Sequence, residues 1–389
     1  MSRRSDVTTR RALGSLRAPD EEGAQARTWA TVREAYADRP EPAPAHRRRR
    51  IGAVPAAVVL IAAVALSPAT ATVTRIINHA FSAAHIARMA GLSLPAPGKL
   101  LVSGTHGTWI VSRSGSVRHL GPWTQASWSP RGLYVAVASA ESLAAIDPGG
   151  AVAWQLPVRG VSEPQWYRPS GYRVAYRTGA DLHELAGDGR SDHLLARGVA
   201  PIASAWRPGH AFQLAYVTRS GASVVGDADT GAPVWHSRAH PGRPLALSWS
   251  PDGSRLALVT SAGAWLMLPG QSPPLSVHLP VRGPLVAAAA SPDGRRLALV
   301  RGGAVPQLEL ADLTAPQRPP RTVLGVAVAQ PTWSPNSRWL LVTEPAAGSW
   351  LFVRAGSRVR ILAEPGVAGK LARRGPPAAL RIEGWCCAP

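Results

Sequence analysis

A tryptophan-led turn recurs along the chain and limits the folds that this sequence can adopt. Its clearest copies are Trp249-Ser-Pro-Asp-Gly253 and, without the tryptophan, Ser291-Pro-Asp-Gly294, each followed by a run of the Arg-Leu-Ala-Leu-Val type. The six copies, in steps of 38, 40, 43, 41 and 43 residues, begin at Trp128, Trp166, Trp206, Trp249, Ala290 and Trp333. Spacing this even predicts one structural unit repeated around a shared core.

The residues of each copy predict a tight turn between two strands. Proline presets the second turn position, aspartate caps the turn locally, and glycine relieves the strain at its end. The apolar run that follows is typical of a strand that is buried on both faces. The repeat residues to which we assign structural roles are Trp128, Trp166, Trp206, Trp249, Trp333, Trp385, Pro251, Asp252, Gly253, Pro292, Asp293 and Gly294.

Each unit has room for about four short strands, which is the length of one blade of a β-propeller. One blade cannot bury both of its faces, so blades must stack in a ring. The pattern resembles the TolB-type and WD40-like propeller repeats, over roughly residues 99–389. The copies at Trp166 and Trp206 have lost the Asp-Gly turn and match least well. The resemblance implies an all-β propeller and does not select a function, because propellers have unrelated functions.

The two ends of the repeat region predict how many blades close the ring. Residues 100–119 contain three strand-like runs with no tryptophan-led strand before them, and Arg381 to Trp385 is such a strand with no blade after it. Pairing of Ile382–Cys386 with Leu100–Ser103 would complete a seventh blade and leave no open sheet edge. We therefore expect seven blades. The alternative is a six-bladed ring with loose extensions at both ends.

The N-terminal part of the chain predicts a membrane anchor. Residues 1–50 form an Arg-rich tail with one amphipathic helix at about 20–39, and residues 51–73 contain no charged side chain. As a helix, such a run is long enough to cross the hydrocarbon core of a bilayer. The Arg47–Arg50 cluster before it predicts a cytoplasmic N-terminus and an extracytoplasmic propeller. Residues 74–98 are expected to form a short helix and a Pro/Gly linker.

Two other interpretations of the apolar run stay open. Ala69-Thr70-Ala71 has the form of a signal-peptide cleavage site, although the preceding polar region is much too long for a signal peptide. The run is also compatible with a buried helix of a soluble protein. For the tail helix, the alternatives are a marginal helix in a flexible tail and a docking helix for a cytoplasmic partner.

The formal net charge of +20 does not by itself indicate nucleic-acid binding. Of the 43 basic residues only Lys99 and Lys370 are lysines, a bias that favours a GC-rich genome, and we expect a bacterial protein. Apart from Arg47–Arg50 the arginines are dispersed along the chain, so we expect a solvated basic surface and no nucleic-acid partner.

A search for catalytic motifs finds no Gly-x-Ser-x-Gly, no phosphate-binding loop and no dinucleotide fingerprint. His236 and His240 have a metal-like spacing, but neighbouring prolines favour a surface loop. Asp227 to Gly231 imitates the start of a calcium loop without its final glutamate. For Cys386 and Cys387 the alternatives are buried thiols, a vicinal disulfide, and a bond to a partner or metal.

Two hairpins, Ala145–Trp154 and Asp227–Trp235, are similar to those of quinoprotein-like propellers. The acidic ligands that a quinone site needs are not identifiable, so outer-strand turns with a packing tryptophan are the favoured interpretation. We expect no catalysis, cofactor or metal. The expected function is a membrane-anchored scaffold that binds a protein or a cell-envelope ligand on a propeller face. The alternatives are an anti-sigma-like signalling protein and a quinoprotein-like enzyme relative.

Overall fold

The computed structural model describes the part of the chain that contains the repeats. The described residues are 86–89, 91–167, 170–271, 275–304, 306–354, 356, 359–371 and 380–387. The predicted tail helix at 20–39, the apolar run at 51–73 and the predicted helix after it lie outside these ranges. No helix within them has both the length and the apolar character needed to cross a membrane.

The described residues form 29 strands and one short helix. Their bounds are β1 Ile86–Arg88, β2 Lys99–Gly104, β3 Gly107–Val111, β4 Val117–Gly121, β5 Gln125–Trp128, β6 Val135–Ala138, β7 Ser142–Ile146, β8 Val152–Pro157, β9 Val161–Trp166, β10 Arg173–Thr178, β11 Asp181–Ala186, β12 His193–Ala196, β13 Ala205–Trp206, β14 Gln213–Val217, β15 Ala222–Asp227, β16 Pro233–Ala239, β17 Pro244–Trp249, β18 Leu256–Thr260, β19 Gly263–Leu268, β20 Leu275–His278, β21 Leu285–Ala290, β22 Arg296–Arg301, β23 Gln307–Asp312, β24 Arg321–Leu324, β25 Ala329–Trp333, β26 Trp339–Glu344, β27 Ser349–Arg354, β28 Arg360–Glu364, α1 Val367–Leu371 and β29 Arg381–Cys386.

The strands form seven sheets, which we call blades 1 to 7 in chain order. Blades 2 to 7 each use four consecutive strands, beginning with β5, β9, β13, β17, β21 and β25, and the first strand of each is the inner strand. Neighbouring strands within these blades are antiparallel, as short connections require. The expectation of an all-β, seven-bladed β-propeller is confirmed.

Blade 1 combines the two ends of the repeat region. Its inner strand is β29, which pairs antiparallel with β2, so that Leu100 lies opposite Trp385 and Ser103 opposite Arg381. The strands β3 and β4 complete the sheet. The C-terminal strand therefore closes the ring through main-chain hydrogen bonds, and the alternative with six blades is excluded.

The apolar core lies between adjacent blades. The second strand of blade 5, Leu256–Thr260, is buried along its whole length, as its continuous apolar sequence predicts. Each hydrophobic cluster joins residues of two neighbouring blades; Leu101 and Ile110 of blade 1, for example, share a cluster with Val135 and Val137 of blade 2. A blade is thus stabilised mainly by the blades on either side of it.

The segment before blade 1 is packed against the ring over its described part. Strand β1 adds to the outer edge of blade 7 by parallel pairing with β28, from Ile86 opposite Ile361 to Arg88 opposite Ala363. Leu92, Leu94 and Ala96 are buried in a cluster that also contains residues of blades 1 and 7. Within residues 74–98, the region that we assigned to a linker, residues 86–88 therefore form a strand and residues 91–98 include buried side chains.

Candidate functional site

The turn after each anchor tryptophan is held by its own side chains. In blade 5, the Asp252 carboxylate accepts hydrogen bonds from the Ser254 amide at 3.1 Å and from the Ser254 and Ser250 hydroxyls. These donors lower the pKa of Asp252 to about 2. Asn336 takes the same position in blade 7 and accepts from the Ser334 hydroxyl and the Arg338 amide. The aspartate of the repeat is thus a structural cap.

The glycine of the repeat turn is needed for two reasons. Gly253 and Gly294 both have φ of +67°, a left-handed conformation that favours glycine. A Cβ atom at Gly253 would lie 2.1 Å from the Pro208 carbonyl oxygen, and one at Gly294 would lie 2.3 Å from Pro251 Cδ. Each glycine therefore lets its turn pack directly against the proline-containing turn of the preceding blade. Pro292 and Asp293 occupy the corresponding turn of blade 6, where Asp293 accepts from the Arg295 amide.

The anchor tryptophans lie at the ends of the inner strands, with exposures of 4 to 9%. In three of them the indole N–H donates a hydrogen bond to a backbone carbonyl of the preceding blade. The acceptor is the residue immediately before that blade's own anchor position. These bonds join Trp206 to Gln165 at 3.1 Å, Trp249 to Ala205 at 2.9 Å and Trp333 to Ala289 at 2.9 Å. Trp385 donates instead to the Pro97 carbonyl, next to β2 of its own blade. Trp206, Trp249 and Trp333 thus link neighbouring blades.

Two anchors depart from this pattern. The indole N–H groups of Trp128 and Trp166 are buried and have no hydrogen-bond partner among the described residues. A cavity adjoins each of these two tryptophans, between blades 1 and 2 and between blades 2 and 3. Because antiparallel order places the first and third turns of every blade on one side, both cavities open on that side, which we call the turn face.

The basic cavity lies between blades 1 and 2 and has a volume of about 790 Å³. Its charged lining residues are Lys99, Arg113 and Arg131, all of them exposed, and no acidic residue lines it. None of the three cations forms an ion pair with a described residue. Trp128 and the Cys386–Cys387 pair contribute apolar wall. The cavity therefore combines positive charge with an apolar surface, a composition suited to an organic anion.

The aromatic cavity lies between blades 2 and 3 and has a volume of about 690 Å³. Leu133, Tyr134 and Tyr172 line it with exposures of 62, 42 and 71%, so an apolar patch surrounds its mouth. Trp154 forms part of the wall and donates a hydrogen bond to the Gly187 carbonyl at 2.8 Å. Arg131 lines this cavity as well as the basic one, so the two cavities adjoin.

A polar cluster lies at the opposite ends of the inner strands. Arg381 of the closing strand donates to both carboxylate oxygens of Glu163 in blade 3, at 2.8 and 3.0 Å, and lies 3.3 Å from Glu383. The side-chain oxygen of Gln125 accepts a hydrogen bond from the Glu163 amide at 2.7 Å. The side-chain oxygen of Gln330 in blade 7 accepts one from the Ile382 amide at 3.0 Å. These contacts tie the closing strand to blades 3 and 7. We assign the cluster a structural role.

The closing strand should carry a pH-dependent contribution to stability. Burial raises the pKa of Glu383 from 4.5 to about 7, against the lowering effects of Arg381 and the Ser103 hydroxyl. A raised pKa favours the protonated form in the folded state, so this contribution is complete below about pH 4.5 and is lost as the pH rises to about 7. Glutamine at this position does not titrate, so Glu383→Gln does not lose this contribution as the pH rises. We therefore expect the difference in melting temperature, variant minus wild type, to become more positive from about pH 5 to about pH 8.

The exposed Glu141, which pairs with Arg159 at the surface, provides the control. Glu141→Gln should change the melting temperature by the same small amount at both pH values. A constant difference between Glu383→Gln and wild type across this range would show that Glu383 is ionised throughout in the folded protein.

The other sequence candidates have local structural roles. The Asp227 carboxylate accepts from the amides of Asp229 and Thr230 within its own turn, at 3.0 and 2.9 Å. His236 belongs to β16 and not to a loop, and His240 follows the end of that strand. The described residues contain no group of three or more potential metal-ligating side chains. The Asp227 turn and the His-x3-His spacing thus offer no assembled metal site there.

Cys386 and Cys387 are joined by a disulfide bond, one of the alternatives that the sequence left open. Their sulfur atoms lie 3.9 Å from the Ser129 carbonyl oxygen and 3.7 Å from that of Pro130. Gly132 of the same turn packs against the Cys387 sulfur. The pair thus forms the contact between the end of the closing strand and the first turn of blade 2.

Sequence reasoning missed the cavity residues and the polar cluster. The cavities are built from turns of different blades, and no local pattern shows which turns meet. For the cluster a weak signal exists, because Glu163 and Glu383 precede Trp166 and Trp385 by only a few residues and each lies inside a tryptophan-containing strand. Charged residues within inner strands of a ring are a sign that they face one another.

Comparison with known proteins supports the fold alone. No protein-family model matches the chain, and no curated protein matches it in sequence. Among solved structures, the β-propeller domain of Myceliophteria thermophila Cps50 (Swd1) is similar with a TM-score of 0.51 and 12% identity, covering 63% of this chain and 86% of that one. A chain of the Mitotic Checkpoint Complex has a TM-score of 0.51 and 16% identity, covering 73% and 85%. The chain therefore has a WD40-like, seven-bladed β-propeller fold.

Proposed function

We propose that this protein is a membrane-anchored scaffold whose propeller binds another protein on the turn face. The observation that carries the proposal is the exposed patch of Leu133, Tyr134 and Tyr172 around the aromatic cavity. Large apolar side chains gathered at one place on a surface mark interaction sites more often than single exposed residues do. Tyrosine, tryptophan and arginine are also the residues that dominate binding energy at protein interfaces.

The proposal does not require catalysis. The two similar structures are a β-propeller domain and a chain of a multiprotein complex, which is in keeping with a scaffold. The ionisable groups with strongly shifted pKa values, such as Glu383, lie in structural contacts and not in the two cavities. A binding role therefore accounts for the surface features of the described residues without a reaction.

A site-specific cross-linking experiment tests the binding role. In the full chain, expressed in its native membranes, a photo-reactive phenylalanine analogue replaces Tyr172 in one variant and Val286 in another. Val286 is 49% exposed but lies in blade 6, near the start of its inner strand and away from the turn face. We expect a discrete protein adduct at position 172 and none at position 286. Equal labelling at both positions, or no adduct at 172, would reject the proposed site.

The localisation is a separate part of the proposal. The uncharged run 51–73 and the Arg47–Arg50 cluster support an anchor with the N-terminus in the cytoplasm and the propeller outside. Fusions of a periplasmic-type reporter at residue 30 and after residue 389 test it. We expect activity only in the second fusion. An active reporter at residue 30 would contradict this topology.

A further inference from the structure

The two adjoining cavities of the turn face differ in chemistry, and the difference specifies what kind of segment they accept. The basic cavity has three cations, Lys99, Arg113 and Arg131, and no acid in its walls. The aromatic cavity has Tyr172 and Leu133 at its mouth. Since Arg131 lines both cavities, a single short segment can occupy both of them.

The basic cavity has both the room and the unpaired positive charge to bind an anionic ligand. Its three cations have no acidic partner among the described residues, and all three residues are exposed and line the cavity together with Trp128. Similar positive charges gathered at one cavity repel one another, and an anion that enters between them relieves this repulsion. A carboxylate is the anionic group that protein segments carry, and arginine binds it in bidentate geometry.

The two neighbouring anchors support the same location. Trp128 and Trp166 are the anchors whose buried indole N–H has no hydrogen-bond partner among the described residues, and they line the basic and the aromatic cavity respectively. At the other anchor positions with such a bond, for example Trp249 to Ala205, the neighbouring blades are linked directly. The contacts between blades 1 and 2 and between blades 2 and 3 therefore contain a cavity beside the anchor tryptophan, whereas in the contacts between blades 3 and 4, 4 and 5, and 6 and 7 the anchor donates a hydrogen bond to the neighbouring blade.

From these observations we propose that the partner is an acidic peptide segment. Its apolar or aromatic side chain enters the aromatic cavity, and a neighbouring carboxylate binds Lys99, Arg113 and Arg131 in the basic cavity. The inference rests on the proposed scaffold function and specifies the chemistry of its ligand. The carboxylate contributes specificity and salt dependence, and the aromatic contact contributes most of the apolar burial.

The test uses the detergent-solubilised full chain and a phage library of random heptapeptides as the probe. One variant combines Lys99→Glu, Arg113→Glu and Arg131→Glu. A matched control carries the same charge change at exposed arginines that line neither cavity, namely Arg282→Glu, Arg318→Glu and Arg338→Glu. A third variant, Leu133→Ser with Tyr172→Ser, removes the apolar patch.

We expect the wild type to select peptides that combine Asp or Glu with an aromatic residue. Their affinity, measured with synthetic copies, should fall about 10-fold or more in the cavity charge variant and remain near wild type in the control. It should also weaken at high salt and fall in the patch variant.

Two results would overturn the inference, and they differ in what they say of the scaffold. Peptides that need Leu133 and Tyr172 but are indifferent to the cavity charges would reject the acidic ligand and leave the scaffold function intact. If no peptide is enriched, or if bound peptides ignore both cavities, the acidic-segment proposal fails together with the site on the turn face. Melting temperatures of all variants within the wild-type range establish that lost binding is not lost folding.

Discussion

Deletion of residues 380–389 should destabilise the propeller far more than trimming of an ordinary chain end. The deletion removes β29, which is the inner strand of blade 1. The strand β2, Lys99–Gly104, then has no hydrogen-bonding partner along one of its edges. The loss of the Trp385 side chain alone is expected to cost about 3–5 kcal/mol. The open edges also become available for pairing with other chains. We expect a much lower melting temperature or aggregation of the full chain that lacks these residues.

A shorter deletion gives the matched control. Removal of residues 388–389 leaves every residue of β29 in place, so the melting temperature should stay close to that of wild type. If the two truncations behave alike and both melt near the wild-type temperature, closure of the ring by the C-terminal strand contributes little to stability.

Replacement of Trp249 by alanine should have the second-largest effect. The side chain is 9% exposed, packs in the cluster between blades 4 and 5, and donates to the Ala205 carbonyl at 2.9 Å. The Arg207 guanidinium also lies 4.8 Å from the centre of its ring. Because the substitution removes this packing and leaves a cavity, we expect a loss of about 3–5 kcal/mol in chemical denaturation.

The conservative variant Trp249→Phe separates the contribution of apolar packing from that of the hydrogen bond to Ala205. Phenylalanine keeps most of the apolar contact but cannot donate to Ala205, so the loss should be about 1–3 kcal/mol. A loss below about 1 kcal/mol in the free energy of unfolding of Trp249→Ala would mean that the indole contributes little to the contact between blades 4 and 5. That result would favour a role of Trp249 in ligand contact.

The fold was predictable because the repeat encodes it several times. Any one copy is weak evidence, and those at Trp166 and Trp206 lack the Asp-Gly turn, but six copies at nearly equal steps specify a ring of similar units. The count of seven followed from the incomplete runs at the two ends of the repeat region. Register and closure then follow from main-chain hydrogen bonding, which requires that each fragment find the other.

The candidate site was less predictable, since it depends on contacts between blades. Arg131 and Tyr172 belong to repeat turns of two different blades, and their sequences look like ordinary surface turns. Only the ring brings them to one surface. Strand β1 was missed for a similar reason, because three residues carry too little pattern to predict a strand whose partner lies more than 270 positions away.

Blade 1 cannot be completed until the end of synthesis, because its inner strand β29 is made long after its second strand β2. Ser103 and Glu383, which meet across blade 1, are 280 positions apart. At about 5–20 residues per second, their partner strands emerge roughly 14–56 s apart. During that interval the edge of β2 that β29 covers in the folded protein is unpaired, and an unpaired strand edge is a site at which other chains can pair. Accessibility of β2 to a protease in arrested nascent chains, before and after residue 386 emerges, would measure this interval of vulnerability.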